Sequence, residues 1–195
     1  MKRTFEEKLE KHKLIAAIKE PKCIERAIKY KENIAAVILM TGNILQVKQY
    51  VGVLQDAGLP VILHVEKIGG LQLDPHGIGF IRDYVKPFAI VTTKPAIIKR
   101  AKAGGLYVIQ RIFLIDTEVY EHLLAGLEQR QADMIEIMPS RACDFLKKLS
   151  EVSPVPVITG GLLSTLDHAR EALAHGAAAV STSNTELWKV DMNDL

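Results

Sequence analysis

Two short polar segments near the end of the chain have the residue types and spacing for holding a phosphate dianion. The first is Thr159, Gly160, Gly161, Leu162, Leu163, Ser164; the second is Ser181, Thr182, Ser183, Asn184, with Leu187 and Trp188 close behind. Gly160 and Gly161 have no Cβ, so an anion can approach the main chain closely enough for amide donors, that of Leu162 among them, to reach it. Ser183 and Asn184 are capping types, and the unsatisfied amides of a helix start carry partial positive charge suited to an anion. Neither segment is basic, so the expected cradle works through peptide dipoles. Each segment alone also fits a blander role, a tight turn for Gly-Gly and a plain cap for Ser-Asn. Their joint position in the chain is what links them.

That position follows from a repeat. Short runs rich in Val and Ile recur at 14–18, 35–40, 61–65, 88–91, 107–109, 134–137, 157–159 and 178–180. Unbroken apolar runs of this length are the pattern of parallel strands buried on both faces. Between them lie helical signals. In 43–57, Val47, Tyr50, Val51 and Leu54 form one stripe ahead of Gly58. Thr93 before Pro95, Asp116 before Val119, and Ser164 with Asp167 in a capping-box arrangement predict three helix starts. Only 66–74 lacks periodicity. Eight alternations predict a single α/β domain spanning 1–195, a compact (β/α)8 TIM-like barrel with some short or degenerate helices, since 195 residues is just under the usual range of roughly 200 to 400. An open doubly wound sheet is the competing architecture. In a barrel, phosphate sites are frequently made by the loops after strands seven and eight, which is where the two polar segments fall.

The other strand ends would share that mouth. His64, Glu66, Lys67, Thr92, Arg111 and Glu136 are candidates for the remaining polar groups of a ligand and for charge balance. Alternation forbids Gln110 and Arg111 from both pointing inward; the guanidinium fork favours Arg111. A structural reading pairs Glu66 with Arg111 or Lys67 and makes His64 a core histidine. Glu66 and Glu136 could instead be an acid and base in a barrel enzyme, an isomerase or lyase of a small phosphorylated metabolite, but no nucleophile and base spacing or metal-ligand cluster accompanies them, so no catalytic or metal residue is assigned.

At this point the chain resembles the glycerol-3-phosphate-responsive antiterminator proteins of bacterial glycerol uptake operons. The likeness spans roughly 34–189 and rests on LMTGNI from Leu39, LHVEKIGGL from Leu63, VTTK from Val91, VIQRIFLID from Val108, IEIMP from Ile135, ITGGLLST from Ile158 and AAAVSTSNTELWK from Ala177. It departs from the family pattern at Glu66, where Asp is usual, and at Ser140, where Gly is often found. The resemblance implies a barrel, glycerol 3-phosphate as effector in place of any cofactor, leader mRNA as target and antitermination as output, without catalysis.

Bulk properties agree. A net charge of +2 excludes a surface built throughout for nucleic acid, yet residues 1–31 hold +5 and the remainder −3. Lys2, Arg3, Lys8, Lys11, Lys13, Lys19, Lys22, Arg26, Lys29 and Lys31 therefore offer a basic N-terminal region to RNA, with Lys99, Arg100 and Lys102 as a second group. Two widely separated cysteines, no signal peptide and no membrane-length apolar run predict a cytoplasmic protein without disulfides or membrane contact. A homo-oligomer is compatible with all of this.

Overall fold

The computed structural model describes every residue except Met1, Arg130 and Leu195, together with the side chains of Lys2, Arg3 and Thr4. Eight parallel strands, β1 (Leu14–Ile18), β2 (Ala36–Leu39), β3 (Val61–His64), β4 (Ala89–Thr92), β5 (Tyr107–Phe113), β6 (Met134–Met138), β7 (Val157–Gly160) and β8 (Val180–Thr182), pair in chain order. β8 returns to β1, which closes the barrel and rules out the open sheet.

Inside, Ile15, Ile38, Ile62, Ile109, Met134 and Ile158 pack on one another with alanines between, so the barrel is filled. This is the layered interior expected when alternate residues of every strand point inward. The opposite faces, such as Val37, Leu63, Val108 and Ile135, join a larger outer core with the helices. Those helices are α1 (Lys2–His12), α2 (Ile24–Lys29), α3 (Val47–Asp56), α4 (Pro75–Gly79), α5 (Pro95–Ala103), α6 (Thr117–Ala125), α7 (Cys143–Val152) and α8 (Leu166–Ala174).

Local signals placed most boundaries, with three shifts. α3 begins at Val47, because Asn43 is taken up in a parallel bridge to Gly69. α5 starts after Lys94, and it is Thr92 Oγ1, not Thr93, that accepts the Lys94 amide. Thr165 rather than Ser164 caps α8, accepting from the His168 amide. The segment without periodicity ends at Asp74, whose carboxylate caps α4 and leads into a π-helical turn, Phe80–Val85.

α1 seals the N-terminal end of the barrel. Phe5 is fully buried, its ring 4.4 Å from Phe88 and 6.0 Å from Tyr107 by centroid. Burial, reinforced by the nearby Asp133 charge, pushes the Tyr107 phenol up to about 12. Beside it, both Asp133 oxygens take Lys102 Nζ, at 2.8 and 2.7 Å, and one also accepts the Val108 amide.

The basic N-terminal region is thereby divided. Lys8 reaches the Gly58 carbonyl and Lys31 that of Ala57, whereas Lys19 emerges at the opposite end. Lys102 is bound to Asp133 and Arg100 to the Leu73 carbonyl, while Lys2 and Arg3 have side chains outside the described residues. Among the described residues no helix is long and apolar enough to cross a membrane.

Phe5→Ala should destabilise the protein by about 3 kcal/mol, the lower part of the range for emptying a buried aromatic site. Urea unfolding would show it as a fall in midpoint at unchanged slope.

Candidate functional site

One inward position further along β3, β5, β6, β7 and β8 than members of the inner apolar layer stand His64, Arg111, Glu136, Gly160 and Ser181. Arg111 and Glu136 face each other in register across β5 and β6. Arg111 Nε donates to Glu136 Oε2 at 2.7 Å, and Ser181 Oγ donates to Glu136 Oε1 at 2.6 Å. Glu136 is fully buried and Arg111 nearly so, and Arg111 Nη2 is buried with no partner among the described residues. Gly160 makes room for this network, because a Cβ there would lie 2.0 Å from Ser181 Oγ.

Above it opens a cavity of about 380 Å³, lined by Lys19, His64, Lys67, Arg111, Gly161, Leu162 and Ser183, with Met40, Phe113, Met138 and Leu163 as apolar walls and Ala17, Ser181 and Thr182 completing it. That volume suits a small metabolite. Three cationic side chains therefore join the two polar loops, where the sequence suggested peptide dipoles acting without lysine.

The orientation of the loop amides is fixed from behind. In a trans peptide the N–H points opposite to the preceding carbonyl, so anchoring one aims the other. The Gly161 carbonyl accepts from Ser140 Oγ at 2.8 Å and from the Ser140 amide at 3.1 Å, turning the Leu162 N–H away from Ser140. The Thr182 carbonyl accepts the buried Trp188 indole N–H at 3.0 Å, turning the Ser183 N–H away from the core. Gly161 and Leu162 both adopt positive φ, +73° and +53°. For Leu162, which is 73% exposed, that is a sparsely populated conformation held by its surroundings.

Two more bonds tie the loops together. Thr182 Oγ1 donates to the Leu163 carbonyl and Asn184 Nδ2 to that of Ser164. The Asn184 amide donates to Thr182 Oγ1, so Asn184 is a strut beside the cavity rather than part of its lining. The expected helix after β8 is only a 3-10 turn, Leu187–Lys189, preceded by Glu186, whose amide is taken by Asn184 Oδ1.

On the far wall His64 Nδ1 lies 3.2 Å from Glu66 Oε2, without hydrogen-bond alignment. Glu66 Oε1 accepts from the Thr92 hydroxyl and from the Thr93 amide. Burial alone would raise the Glu66 carboxyl, but His64, Thr92 and its own amide outweigh burial and hold it below the ordinary carboxylate value. Glu66 is thus engaged by His64 and Thr92, not by Arg111 or Lys67. Gln110 lies in a separate cleft with Val119 and His122 of α6, to which Arg111 also contributes.

Of the residues expected from sequence, Gly161, Leu162, Ser183, His64, Lys67 and Arg111 meet at the cavity, while Gly160, Asn184, Glu66 and Glu136 support it from behind. Lys19 was grouped with the N-terminal cations by charge; its position one residue past β1 is the signal that assigns it to the mouth. Ser140 and Trp188 were missed as anchors. A buried indole has one donor that must find an acceptor, which is the clue Trp188 offered.

The chain resembles solved barrels over nearly its whole length. A glycerol uptake operon antiterminator regulatory protein from Listeria monocytogenes is 31% identical, covering 90% of this chain and 94% of that one with a TM-score of 0.82. A glycerol uptake operon antiterminator-related protein from Thermotoga maritima is 29% identical, covering 91% and 98%, with a TM-score of 0.79. The uncharacterized protein YgcP of Escherichia coli is 29% identical over 92% of this chain and 93% of its own length. Residues 14–188 match the family described as glycerol-3-phosphate responsive antiterminator. They include both polar loops, the Arg111 to Glu136 pair and the Trp188 anchor, and the chain belongs to that family.

Proposed function

We propose that this protein binds glycerol 3-phosphate at the mouth of the barrel and that the bound effector strengthens its hold on a leader transcript, giving antitermination. One observation carries the effector site: the Leu162 and Ser183 amides are aimed by Ser140 and Trp188, and both residues line the cavity that also holds Lys19, Lys67 and Arg111. Fixed amides and cations in a partly enclosed site favour a dianion. The unpartnered Arg111 Nη2 is a further donor that a ligand oxygen would satisfy. His64 and Lys67 are left for the glycerol hydroxyls and charge balance, with Glu66 placed behind His64.

The same contacts favour sensing over catalysis. Both Glu136 oxygens are taken by Arg111 and Ser181, and Glu66 Oε1 is taken by Thr92 and Thr93 while its Oε2 is buried against His64. An acid and base pair would need one of them released towards substrate. The segment 69–79, Gly-rich in sequence, is pinned at Gly69 to Gly42 and Ile44 and is helical over Pro75–Gly79.

Transcript control requires different RNA affinities with and without effector. A hundredfold difference corresponds to about 2.7 kcal/mol, and RNA must then tighten effector binding equally.

Calorimetric titration should show glycerol 3-phosphate binding well above glycerol or inorganic phosphate. Gly161→Val, forced into positive φ, should abolish it with the melting transition retained; unchanged affinity would remove the loop cradle. Trp188→Phe keeps an aromatic, though smaller, side chain and deletes the donor, so effector affinity should fall roughly fivefold, the effect of one hydrogen bond of about 1 kcal/mol. Glu136→Gln leaves a buried guanidinium without its counter-charge and should cost about 3 kcal/mol of stability in urea unfolding. Equal transcript affinity with and without effector at fixed salt would refute the regulatory step.

A further inference from the structure

A second concavity lies beside the mouth, of about 350 Å³, lined by Lys22, Glu25, Arg26, Lys29, Tyr30 and Lys189. We propose that this cleft, between α2 and the segment following β8, is where the transcript's phosphodiester backbone is held, and that 183–189 transmits effector occupancy to it. The inference rests on the RNA-binding reading above and adds its location and its coupling.

The cleft holds four cations and one carboxylate, and it stays net positive even when Glu20 and Glu186 at its edge are included. Those two acids pair with Lys22 at 2.6 Å and Lys189 at 2.5 Å, on exposed side chains where such pairs are worth little and exchange readily for a phosphate. Lys29 Nζ lies 5.4 Å from the centre of the ring of Tyr30, a half-buried residue that packs on the core. An aromatic ring among four surface cations suits a nucleic acid strand, with phosphates on the lysines and a base near the ring. A small compact anion would call for buried convergent donors instead.

Both loops that border the cleft also border the mouth. After β1, Lys19 lines the mouth and Lys22 the cleft; after β8, Ser183 lines the mouth and Lys189 the cleft. β1 and β8 are adjacent in the barrel. Between Ser183 and Lys189, Thr185 Oγ1 accepts from Arg26 Nη1 at 2.7 Å and the Trp188 carbonyl accepts from Asn33 at 3.3 Å. A ligand that fixes Ser183 therefore also restrains Thr185 and Lys189, which sets the spacing of cations across the cleft. The coupling requires the effector to hold Ser183 more tightly in one arrangement of this segment than in another, as any ligand-driven shift does.

The test uses the full-length protein and a transcribed leader RNA of a glycerol uptake operon, in gel shifts over a salt series with and without glycerol 3-phosphate. K22Q/K29Q should weaken RNA binding about tenfold near 0.1 M salt and lower the salt slope by roughly 1.4 to 1.8, two phosphate contacts, while effector affinity measured without RNA stays unchanged. Thr185→Val should leave RNA affinity without effector intact and shrink the effector's enhancement. Wild-type binding with an unaltered affinity and slope in K22Q/K29Q would overturn the cleft and leave it to an acidic protein partner. Equal competition by an unrelated RNA would overturn it as well, as a nonspecific polyanion patch. No RNA binding by the wild type at all would instead refute the proposed function on which the cleft depends.

Discussion

Removing a carboxylate and a guanidinium from water costs several kcal/mol each unless they meet in good geometry with their other valences satisfied. At the mouth of this barrel that condition is met by Arg111 and Glu136, opposed in register on neighbouring strands, with Ser181 completing the carboxylate. The pair makes three strands answer to one another. It also dictates Gly160, since any side chain there would displace Ser181. One guanidinium nitrogen remains buried without a partner, so the arrangement is complete for the carboxylate and incomplete for the cation. The proposed anion site thus has a donor to spare beneath a cavity bearing two lysines.

The loops around the cavity follow the same economy of satisfied groups. The carbonyls of Gly161, Thr182, Leu163 and Ser164 are each fastened to a side chain of a neighbouring element. Because peptide planes are rigid, holding the carbonyls is what gives the amides a direction. The positive φ of Leu162 is maintained by these bonds rather than by its own preference. Preorganisation of this kind lowers the ordering cost of binding. It also makes the segment after β8 a single piece, anchored in the core by Trp188 and reaching the surface at both Ser183 and Lys189.

Much of this was legible beforehand. Apolar runs and their helical spacers forecast eight units because a parallel strand buried on both faces leaves a pattern that no amphipathic helix shares. Asp116, Pro95 and Gly58 mark boundaries through local backbone chemistry and sit where expected. The glycines at 160 and 161 stood out as residues needed where a main chain must be approached closely, yet they divide the work: Gly160 frees space for Ser181, and Gly161 supplies the turn. Local sequence could not separate those roles, since one depends on a residue 21 positions away.

The sequence alone therefore determined the succession of strands and helices, the closed topology they favour and the loops that must meet at one end, because each follows from periodicity and chain order. It also carried the family likeness. Tertiary structure decided which polar residues line the mouth and which face each other: Glu136 with Arg111, Glu66 with His64 and Thr92, Lys19 at the mouth and Lys8 at the base. Those choices depend on strand register and on which groups are deprived of water, and both are set only when the barrel closes.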